Sequence, residues 1–228
     1  MSLVLRSSLA IVAVAGGAWA ALPSARAASS PSTVSFTIAQ VKSYPFPTDL
    51  TAAPAGRRIA WALNEEGRRN VWVAEGPQYE ARRVTSYDAD DGQELTSLAV
   101  SADGKHVVYV RGGDHGSNTD ASVLVNPTSS PSAAKVQVWT VPFEGGEPRS
   151  LGEGDLPAVS PRSDRVAFEQ DHQIWVAPID GSVPAKALLT ARGENGSAQW
   201  SPDGSRLAFV STRADHAFIG LFTDESTP

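Results

Sequence analysis

The chain carries four stretches in which turn-forming residues run directly into an apolar segment. They read APAGRRIAW at 53–61, SADGKHVVY at 101–109, SPRSDRVAF at 160–168 and SPDGSRLAF at 201–209. In each, a polar turn precedes a short apolar run that ends in an aromatic residue. Because the pattern occurs four times, it indicates an internal repeat, which is the sequence signature of a repeat architecture.

The turn chemistry is clearest in the fourth copy. Pro202 fixes φ at the second position of the turn, Asp203 suits the third, and Gly204 adopts a left-handed conformation without steric cost. Such a turn joins two antiparallel strands, and residues 207–210 then form a short buried strand. The equivalents of Gly204 in the first three copies are expected to be Gly56, Gly104 and Asp164.

Each copy continues with further strand-like segments. Runs of β-branched and aromatic residues follow at 70–74, 136–142, 173–180 and 216–222. Three copies then close with a short segment, at 82–87, 148–154 and 187–193. The repeat spacings are 48, 59 and 41 residues, and propeller repeats are about 40–50 residues long. The predicted fold class is therefore all-β, a β-propeller with four-stranded blades, about four of them present and the last incomplete.

The predicted organisation has three parts. Residues 1–27 form a signal peptide, 28–48 a linker and entry segment, and 49–228 a partial propeller. The blades are expected at about 49–87, 95–154, 156–193 and 196–228. Within the entry, residues 36–50 predict a short helical turn followed by an extended segment.

Two features break the regularity of the repeat. The second unit holds an insertion at 112–134 that is rich in Gly, Ser, Pro, Asn and Asp, which predicts a long loop. The fourth unit reaches its third strand and then reads TDESTP, so its last strand is missing. A blade without its outer strand exposes an edge, and we expect further blades to follow in the intact protein.

The amino-terminal residues predict export. Arg6 precedes an apolar run from Leu9 to Leu22, and ARA at 25–27 supplies small residues two positions apart. This is the layout of a secretory signal peptide, and the apolar run is short for a membrane span, which needs about 20 residues. We expect cleavage after Ala27 or Ala28 and a periplasmic or extracellular protein. The alternative is an uncleaved anchor.

Composition removes several function classes. The net charge of −6 argues against nucleic-acid binding, which requires a basic surface. No membrane association is expected after cleavage of the signal peptide. The chain has no Cys, which excludes thiol chemistry and cysteine zinc sites. The histidines show no metal-ligand spacing, so no metal and no cofactor are expected. They are His106, predicted to be exposed just after its turn, with His115, His172 and His216.

The repeat resembles the WD40-like propeller repeat shared by the periplasmic TolB family and by the N-terminal propellers of prolyl-oligopeptidase-type (S9) serine peptidases. The second group fits better. FTIAQVKSYPFPTDLTAA, NEEGRRNVWVA, YVRGGDHGSN, QIWVAPIDG and FVSTRADHAFIGLF are similar to stretches of bacterial secreted peptidases of the dipeptidyl-peptidase IV and acylaminoacyl-peptidase kind. The resemblance covers essentially the whole chain after the signal peptide.

This resemblance implies a partner domain. In that family the propeller caps a C-terminal α/β-hydrolase domain, whose Ser nucleophile lies in a G-x-S-x-G elbow, and it admits short peptides but not folded proteins. No G-x-S-x-G occurs in this chain. The expected partners are therefore a hydrolase domain of the same parent protein and peptide substrates, and the chain alone is expected to be inactive.

Two sets of residues are candidate substrate contacts. Asp114 and His115, close to Ser117, carry triad-like residue types, but triad members normally converge from separate elements. We interpret them as loop residues that line the substrate passage or face solvent. Glu65 and Glu66 resemble the glutamate pair with which dipeptidyl peptidases hold a free amino terminus. Here the pair lies in a predicted hairpin turn, and the alternative is a surface charge cluster with Arg68 or Arg69.

The tryptophans are assigned to packing. Apart from Trp19 in the signal peptide, they fall on predicted strands, where aromatic side chains fill the gaps between sheets. The alternative is a stacking platform for a sugar or peptide. They are Trp61, Trp72, Trp139, Trp175 and Trp200.

Three functions are compatible with these residues. The first is the substrate-gating propeller of an exported serine peptidase. The second is a non-enzymatic TolB-like propeller that binds a partner protein in the periplasm. The third is an enzyme with a propeller-centred site, such as a glycosidase, which needs converging carboxylates. The sequence shows no convincing pair of this kind, and the resemblance favours the first function.

Overall fold

The computed structural model describes residues 36–113 and 135–223. Over these ranges the chain forms one short helix and fifteen strands, arranged in four antiparallel sheets. The predicted signal peptide and most of the 112–134 insertion lie outside the described residues. The helix, α1, spans Ile38–Ser43.

Strand order in each sheet follows the order along the chain. Sheet 1 comprises β1 (Phe46–Ala52), β2 (Arg58–Glu65), β3 (Arg68–Glu75) and β4 (Arg82–Arg83). Sheet 2 comprises β5 (Leu95–Val100), β6 (His106–Arg111), β7 (Gln137–Pro142) and β8 (Arg149–Glu153). Sheet 3 comprises β9 (Asp155–Val159), β10 (Arg165–Gln170), β11 (Gln173–Pro178) and β12 (Lys186–Ala187). Sheet 4 comprises β13 (Glu194–Trp200), β14 (Arg206–Arg213) and β15 (His216–Thr223).

The entry segment adopts the predicted helix and extended stretch. Thr37 and Gln40 form a capping box, in which each side chain bonds the other residue's backbone N–H. The helix buries none of its residues. The extended stretch that follows is β1, which pairs with β2 as the first strand of sheet 1.

The repeated turn has the same hydrogen bond in three copies. The backbone N–H of Gly104, Ser163 and Gly204 donates to the carbonyl three residues earlier, at 2.8 Å in each case. All three residues have positive φ, at 73°, 58° and 68° respectively. The prediction that Asp164 occupies the left-handed position of the third copy is therefore wrong. The turn keeps its length, so Ser163 takes the position of the glycine and bears the steric cost of that conformation.

Aspartate side chains stabilise two of these turns. Asp203 accepts hydrogen bonds from the Ser201 hydroxyl at 2.5 Å and from the Ser205 backbone N–H at 3.0 Å. These donors hold the pKa of Asp203 far below its ordinary value. Asp103 has equivalent bonds from Ser101 and Lys105. Partial burial acts to raise the Asp103 pKa, but these donors lower it overall.

Sheets 1, 2 and 3 each pack one face against the next sheet along the chain. We call this its forward face and the opposite one its backward face. In sheet 1, Ala60 and Val73 lie on the forward face, in one buried cluster with Val107 and Tyr109 on the backward face of sheet 2. Since side chains alternate along a strand, the neighbours Val108 and Val110 face sheet 3 instead. Sheet 3 meets sheet 4 in the same way, through a cluster that includes Ala167, Ile174, Leu207 and Phe209.

The first strands of the sheets lie beside one another. β1 contacts β5, β5 contacts β9, and β9 contacts β13. The four sheets therefore converge at their first strands, which form what we call the inner edge. The wedge-like stacking that results is the arrangement of propeller blades.

Arginines tie each of two sheets to the turn of the following sheet. Arg58, which opens β2, donates to the carbonyl of Gly104 at 2.9 Å, and its guanidinium lies 4.4 Å from the Phe143 ring. Arg165, which opens β10, lies 3.4 Å from the carbonyl of Gly204 and 4.7 Å from the Trp200 ring. This interaction repeats because both arginines occupy the same position after the turn.

Sheet 2 has His106 at that position. The prediction that His106 is exposed is wrong, because the residue is half-buried. Its burial lowers the pKa of the imidazole, and its buried Nδ1 has no hydrogen-bond partner within the part of the chain that the structure describes. The half-burial follows from its position, which lies between sheets rather than on an open turn.

Substituting Arg58→Ala should destabilise the fold by about 1–3 kcal/mol, because it removes a charge-assisted hydrogen bond and a cation–π contact. Arg68→Ala is the control, since that side chain is half-exposed in a hairpin, and it should change stability by less than about 0.5 kcal/mol. Urea unfolding followed by tryptophan fluorescence measures both values. Equal losses in the two variants would contradict the inter-sheet role of Arg58.

Gly220→Ala should also destabilise the protein, by about 1–3 kcal/mol. A Cβ atom at Gly220 would overlap the ring of Phe209, which is buried against sheet 3. Phe209→Leu removes the overlapping ring atoms, so the double variant should lose less stability than the sum of the two single variants. Additive losses in the same unfolding measurement would show that the ring is not what excludes a side chain.

Candidate functional site

A groove runs along the inner edge beside sheets 1 and 2. It comprises two adjoining cavities of about 380 and 500 Å³, which share Phe46 and Asn64 in their linings. We call it the entry groove, because the segment from α1 to β1 forms one wall through Lys42, Tyr44 and Phe46. A concave surface with apolar walls and a few polar groups is the usual form of a small-ligand site.

The entry groove is lined by more acidic than basic side chains. The carboxylates are those of Asp49, Glu66, Asp90 and Glu94, and the cations are Lys42 and Arg69. Arg69 lies 4.0 Å from Asp90. The carboxylates accept hydrogen bonds from cations and N–H donors, and the aromatic rings of Tyr44 and Phe46 provide apolar contact. The groove can therefore hold a short ligand that carries a positive charge.

The two glutamates predicted as a substrate-binding pair occupy different positions in the first hairpin. Glu66 and Gly67, with φ of 56° and 92°, form the two-residue turn between β2 and β3. Glu66 lines the entry groove and also lies 3.7 Å from Arg68. Glu65 is the last residue of β2 and lies outside the groove lining.

Asp114 and His115, the other predicted contacts, lie outside the described residues. The chain that leads to them is anchored by Arg111, the last residue of β6. Its guanidinium contacts the Asp91 carboxylate and lies 4.2 Å from the Tyr87 ring. Arg111, three positions before Asp114 in the sequence, is therefore held by charge and ring contacts at the end of sheet 2.

Tyr87 belongs to a buried polar network that sequence reasoning missed. Its hydroxyl lies 2.7 Å from that of Tyr109. Asn70 fixes the backbone of Tyr87, accepting from its N–H at 2.7 Å and donating to its carbonyl at 3.0 Å. Burial raises the pKa of Tyr87, and it raises that of Tyr109 well above the ordinary value. No local motif marks this network, because its members come from β3, β6 and the segment after β4.

The remaining histidines have ordinary structural positions. His216 opens β15, as predicted, and its Nδ1 lies 2.7 Å from Asp215, whose pKa this hydrogen bond lowers. His172 lies in the turn between β10 and β11. Across residues 36–113 and 135–223, no three His, Cys, Asp or Glu side chains are grouped so as to hold a metal ion. Over the same ranges, no helix is long and apolar enough to cross a membrane.

Three of the tryptophans pack between sheets, as predicted. Trp139, Trp175 and Trp200 each lie against one of the buried inter-sheet clusters. Trp200 also donates from its indole N–H to the carbonyl of Ala158 at 3.0 Å. Trp61 and Trp72 differ in the face on which they lie. They pair with each other across β2 and β3, on the face of sheet 1 that points away from sheet 2.

No protein-family model matches the chain, and no curated protein matches it. Solved structures do match. A prolyl endopeptidase superposes on 81% of this chain and 29% of its own, with a TM-score of 0.56 and 11% identity. TolB from Acinetobacter baumannii matches 78% of this chain and 41% of its own, with a TM-score of 0.50 and 15% identity. An oligogalacturonate lyase in complex with manganese matches 73% of this chain and 48% of its own, with a TM-score of 0.50 and 18% identity.

These likenesses establish the fold class. They confirm the prediction of an all-β propeller with about four blades, the last of which has three strands among the residues described. The chain spans less than half the length of each of the three proteins. Because a peptidase, a TolB protein and a lyase share this architecture, the fold does not specify a reaction.

The tyrosine network predicts a loss of stability at alkaline pH. The pKa values of Tyr87 and Tyr109 are raised in the folded chain, so the folded state favours their neutral phenols. The stability that the two neutral phenols contribute is therefore fully present below about pH 10, the ordinary tyrosine pKa. It is lost as pH rises above that value, because the unfolded chain releases its protons first. The free energy of unfolding, measured in urea between pH 8 and 12, should fall less steeply for a Tyr87→Phe/Tyr109→Phe variant than for the parent chain. Tyr44→Phe, at an exposed position, is the control, and a parent slope equal to that of the double variant would contradict the prediction.

Proposed function

We propose that this chain is the substrate-gating propeller portion of an exported serine peptidase that cleaves short peptides. The chemical step is assigned to an α/β-hydrolase domain of the same parent protein, since this chain has no G-x-S-x-G elbow. The propeller would admit and position peptides. The likeness to a prolyl endopeptidase, at a TM-score of 0.56, supports the fold that this role requires.

The observation that carries the proposal is the acidic entry groove at the inner edge. A peptide with a free amino terminus carries an ammonium group, which carboxylates bind by charge-assisted hydrogen bonds. Glu66 and Asp90 line the same cavity as the rings of Tyr44 and Phe46. We assign the ammonium group to the two carboxylates and the first apolar side chains of the peptide to the two rings.

The residues after Arg111 are proposed to contribute a second wall. Asp114 and His115 follow Arg111 within four positions, and Arg111 is held by Asp91 and Tyr87. Arg111, the last residue of β6, pairs with Leu95, which lines the entry groove, so the chain leaves β6 on the side of the groove. Asp114 and His115 are assigned to the lining of the passage, without a part in bond cleavage. Signal residues 1–27 are assigned to export.

The alternative is a TolB-like propeller that binds a partner protein and has no catalytic domain. The likeness to TolB supports it to a similar degree, with a TM-score of 0.50 over 78% of this chain. The two proposals differ in what occupies the entry groove. A peptidase gate binds the free amino terminus of a short peptide, whereas a protein-binding propeller requires no such preference.

Peptide binding to the 228-residue chain distinguishes them. Isothermal titration with a short proline-containing peptide should show binding that amino-terminal acetylation weakens by about tenfold or more, since a charge-assisted hydrogen bond contributes about 1.5–3 kcal/mol. Glu66→Gln should weaken binding of the free peptide. Glu147→Gln, an exposed glutamate outside the groove lining, should not.

The chain alone should also fail to hydrolyse an aminoacyl-proline reporter. Sustained turnover that persists through repeated purification would contradict the assignment of chemistry to another domain. Equal binding of the free and acetylated peptides would remove the entry groove from the proposal, and absence of any peptide binding would favour the TolB-like alternative.

A further inference from the structure

The entry groove has a second cavity to which the proposed function assigns no part of the ligand. The first cavity, of about 500 Å³, is lined by Glu66 and Asp90, to which the amino terminus of the peptide is assigned. The second, of about 380 Å³, is lined by the carboxylates of Asp49 and Glu94, and we call it the Asp49 cavity. We propose that the Asp49 cavity binds a lysine or arginine side chain of the same peptide. This inference rests on the proposed function and names its substrate class.

The walls of the Asp49 cavity suit a long side chain with a charge at its end. Its apolar lining includes Ala62 and Leu95, which belong to the buried cluster between sheets 1 and 2, together with Leu63 and Phe46. Lysine and arginine lay their methylene groups along apolar surface while the charged end stays in a polar environment. A divalent metal ion is bound by oxygen ligands and gains nothing from such walls, so the lining favours an organic cation.

The charges of the lining support the same ligand. Within the described part of the chain Asp49 forms no ion pair, and its carboxylate lies 3.4 Å from the backbone nitrogen of Leu98. The cation of the lining, Arg69, is directed elsewhere: it donates to the carbonyl of Gly67 at 3.0 Å and lies 4.0 Å from Asp90, which lines the other cavity. The Asp49 carboxylate can therefore accept charge-assisted hydrogen bonds from a ligand.

The backbone fixes Asp49 in the cavity wall through an irregularity that all four sheets share. In each first strand two residues lie opposite a single aromatic residue of the second strand, which is a β-bulge. The bulged pairs are 49–50, 97–98, 156–157 and 197–198, opposite Trp61, Tyr109, Phe168 and Phe209 respectively. The aromatic residue that ends each repeated sequence stretch therefore marks a bulge at the inner edge.

The sheets differ in the side chain that the bulge presents. The first residues of the four bulges are Asp49, Ser97, Leu156 and Ser197, with left-handed φ of 56°, 55°, 51° and 53°. Among these four residues Asp49 alone is charged, and it alone lines the entry groove. Since serine or leucine forms the same bulge in the other sheets, the bulge itself does not require a carboxylate. The carboxylate of Asp49 is explained by the cavity that it faces.

The spacing of an extended peptide determines which side chain reaches the Asp49 cavity. Alternate side chains of an extended chain point to the same side, about 6.5 Å apart. The first side chain is assigned to the cavity that Tyr44 lines, and Phe46 and Asn64 are common to both cavities. The third side chain is therefore assigned to the Asp49 cavity. The expected ligand is a short peptide with a free amino terminus and lysine or arginine at its third position.

Isothermal titration of the 228-residue chain with four pentapeptides tests the inference. The peptides share one proline-containing sequence and differ in having a free or acetylated amino terminus and lysine or norleucine at the third position. Norleucine keeps the carbon chain of lysine without the ammonium group, so the ratio of the two affinities measures the effect of the charge. The lysine peptide should bind about five- to tenfold more tightly at low salt. The ratio should fall as ionic strength rises, because salt screens the interaction.

Asp49→Asn tests the assigned residue without disturbing the bulge. Asparagine tolerates a left-handed backbone, and its side-chain carbonyl can still accept from the Leu98 N–H. The variant should reduce the lysine-to-norleucine ratio to less than about twofold and leave binding of the norleucine peptide unchanged. Asp171→Asn is the matched control, because Asp171 is exposed, has φ of 51° and lies outside the groove lining. It should retain the full ratio.

The four peptides separate failure of this inference from failure of the proposed function. A preference for the free amino terminus with no preference for lysine would overturn the assignment of the Asp49 cavity alone. A lysine preference that Asp49→Asn leaves unchanged would also overturn it. A lysine preference that is equal in free and acetylated peptides and lost in Asp49→Asn would support the Asp49 cavity and remove the amino-terminal site from the proposed function. Absence of binding by all four peptides would overturn both.

Discussion

The burial of small aliphatic side chains under larger apolar ones between successive sheets is the interaction on which the structure depends. Ala60 and Ala62 on one sheet face Val107 and Tyr109 on the next, and Ala167 faces Leu207 and Phe209. Burial of apolar surface contributes about 25 cal/mol per Å², and the chain has no cysteine with which to form a disulfide. The buried apolar residues of each cluster come from two neighbouring sheets, so each blade depends on its neighbour.

The same stacking decides which polar groups can act. Sheets that converge at their first strands leave a groove at the inner edge, where Glu66 and Asp90 remain accessible to a ligand. Away from that edge, polar groups such as Asn70 and the Tyr87 and Tyr109 hydroxyls are enclosed and bind one another. The polar residues of the fold therefore form two groups. Accessible ones can contact a ligand, and buried ones hydrogen-bond to one another and stabilise the sheets.

Sequence reasoning predicted the features that depend on local chemistry. The turn at Ser201–Gly204, the strand after it and the helix that precedes β1 all follow from neighbouring residues, and the structure contains them. Features that depend on three-dimensional neighbours were missed. The half-burial of His106 is set by an adjacent sheet, and the Arg111–Tyr87 contact joins residues that no motif links. Of the candidate site, Glu66 could be named from the sequence, but its place in one cavity with Phe46 and Asp90 depends on residues that are distant along the chain.

The arrangement of the connections divides each blade into two ends with different tolerance for change. The turn end carries the repeated hydrogen bonds of Gly104, Ser163 and Gly204 and the arginine contacts to the following sheet. Among the described residues, the hairpin end has no counterpart of these arginine contacts to the turn of the following sheet, and the longest insertion in the chain, at 112–134, falls there. Residues can therefore be inserted at the hairpin end without changing the contacts by which the blades stack. A propeller of this design can acquire a different ligand specificity there, while the turns and arginine contacts at the opposite end maintain its stability.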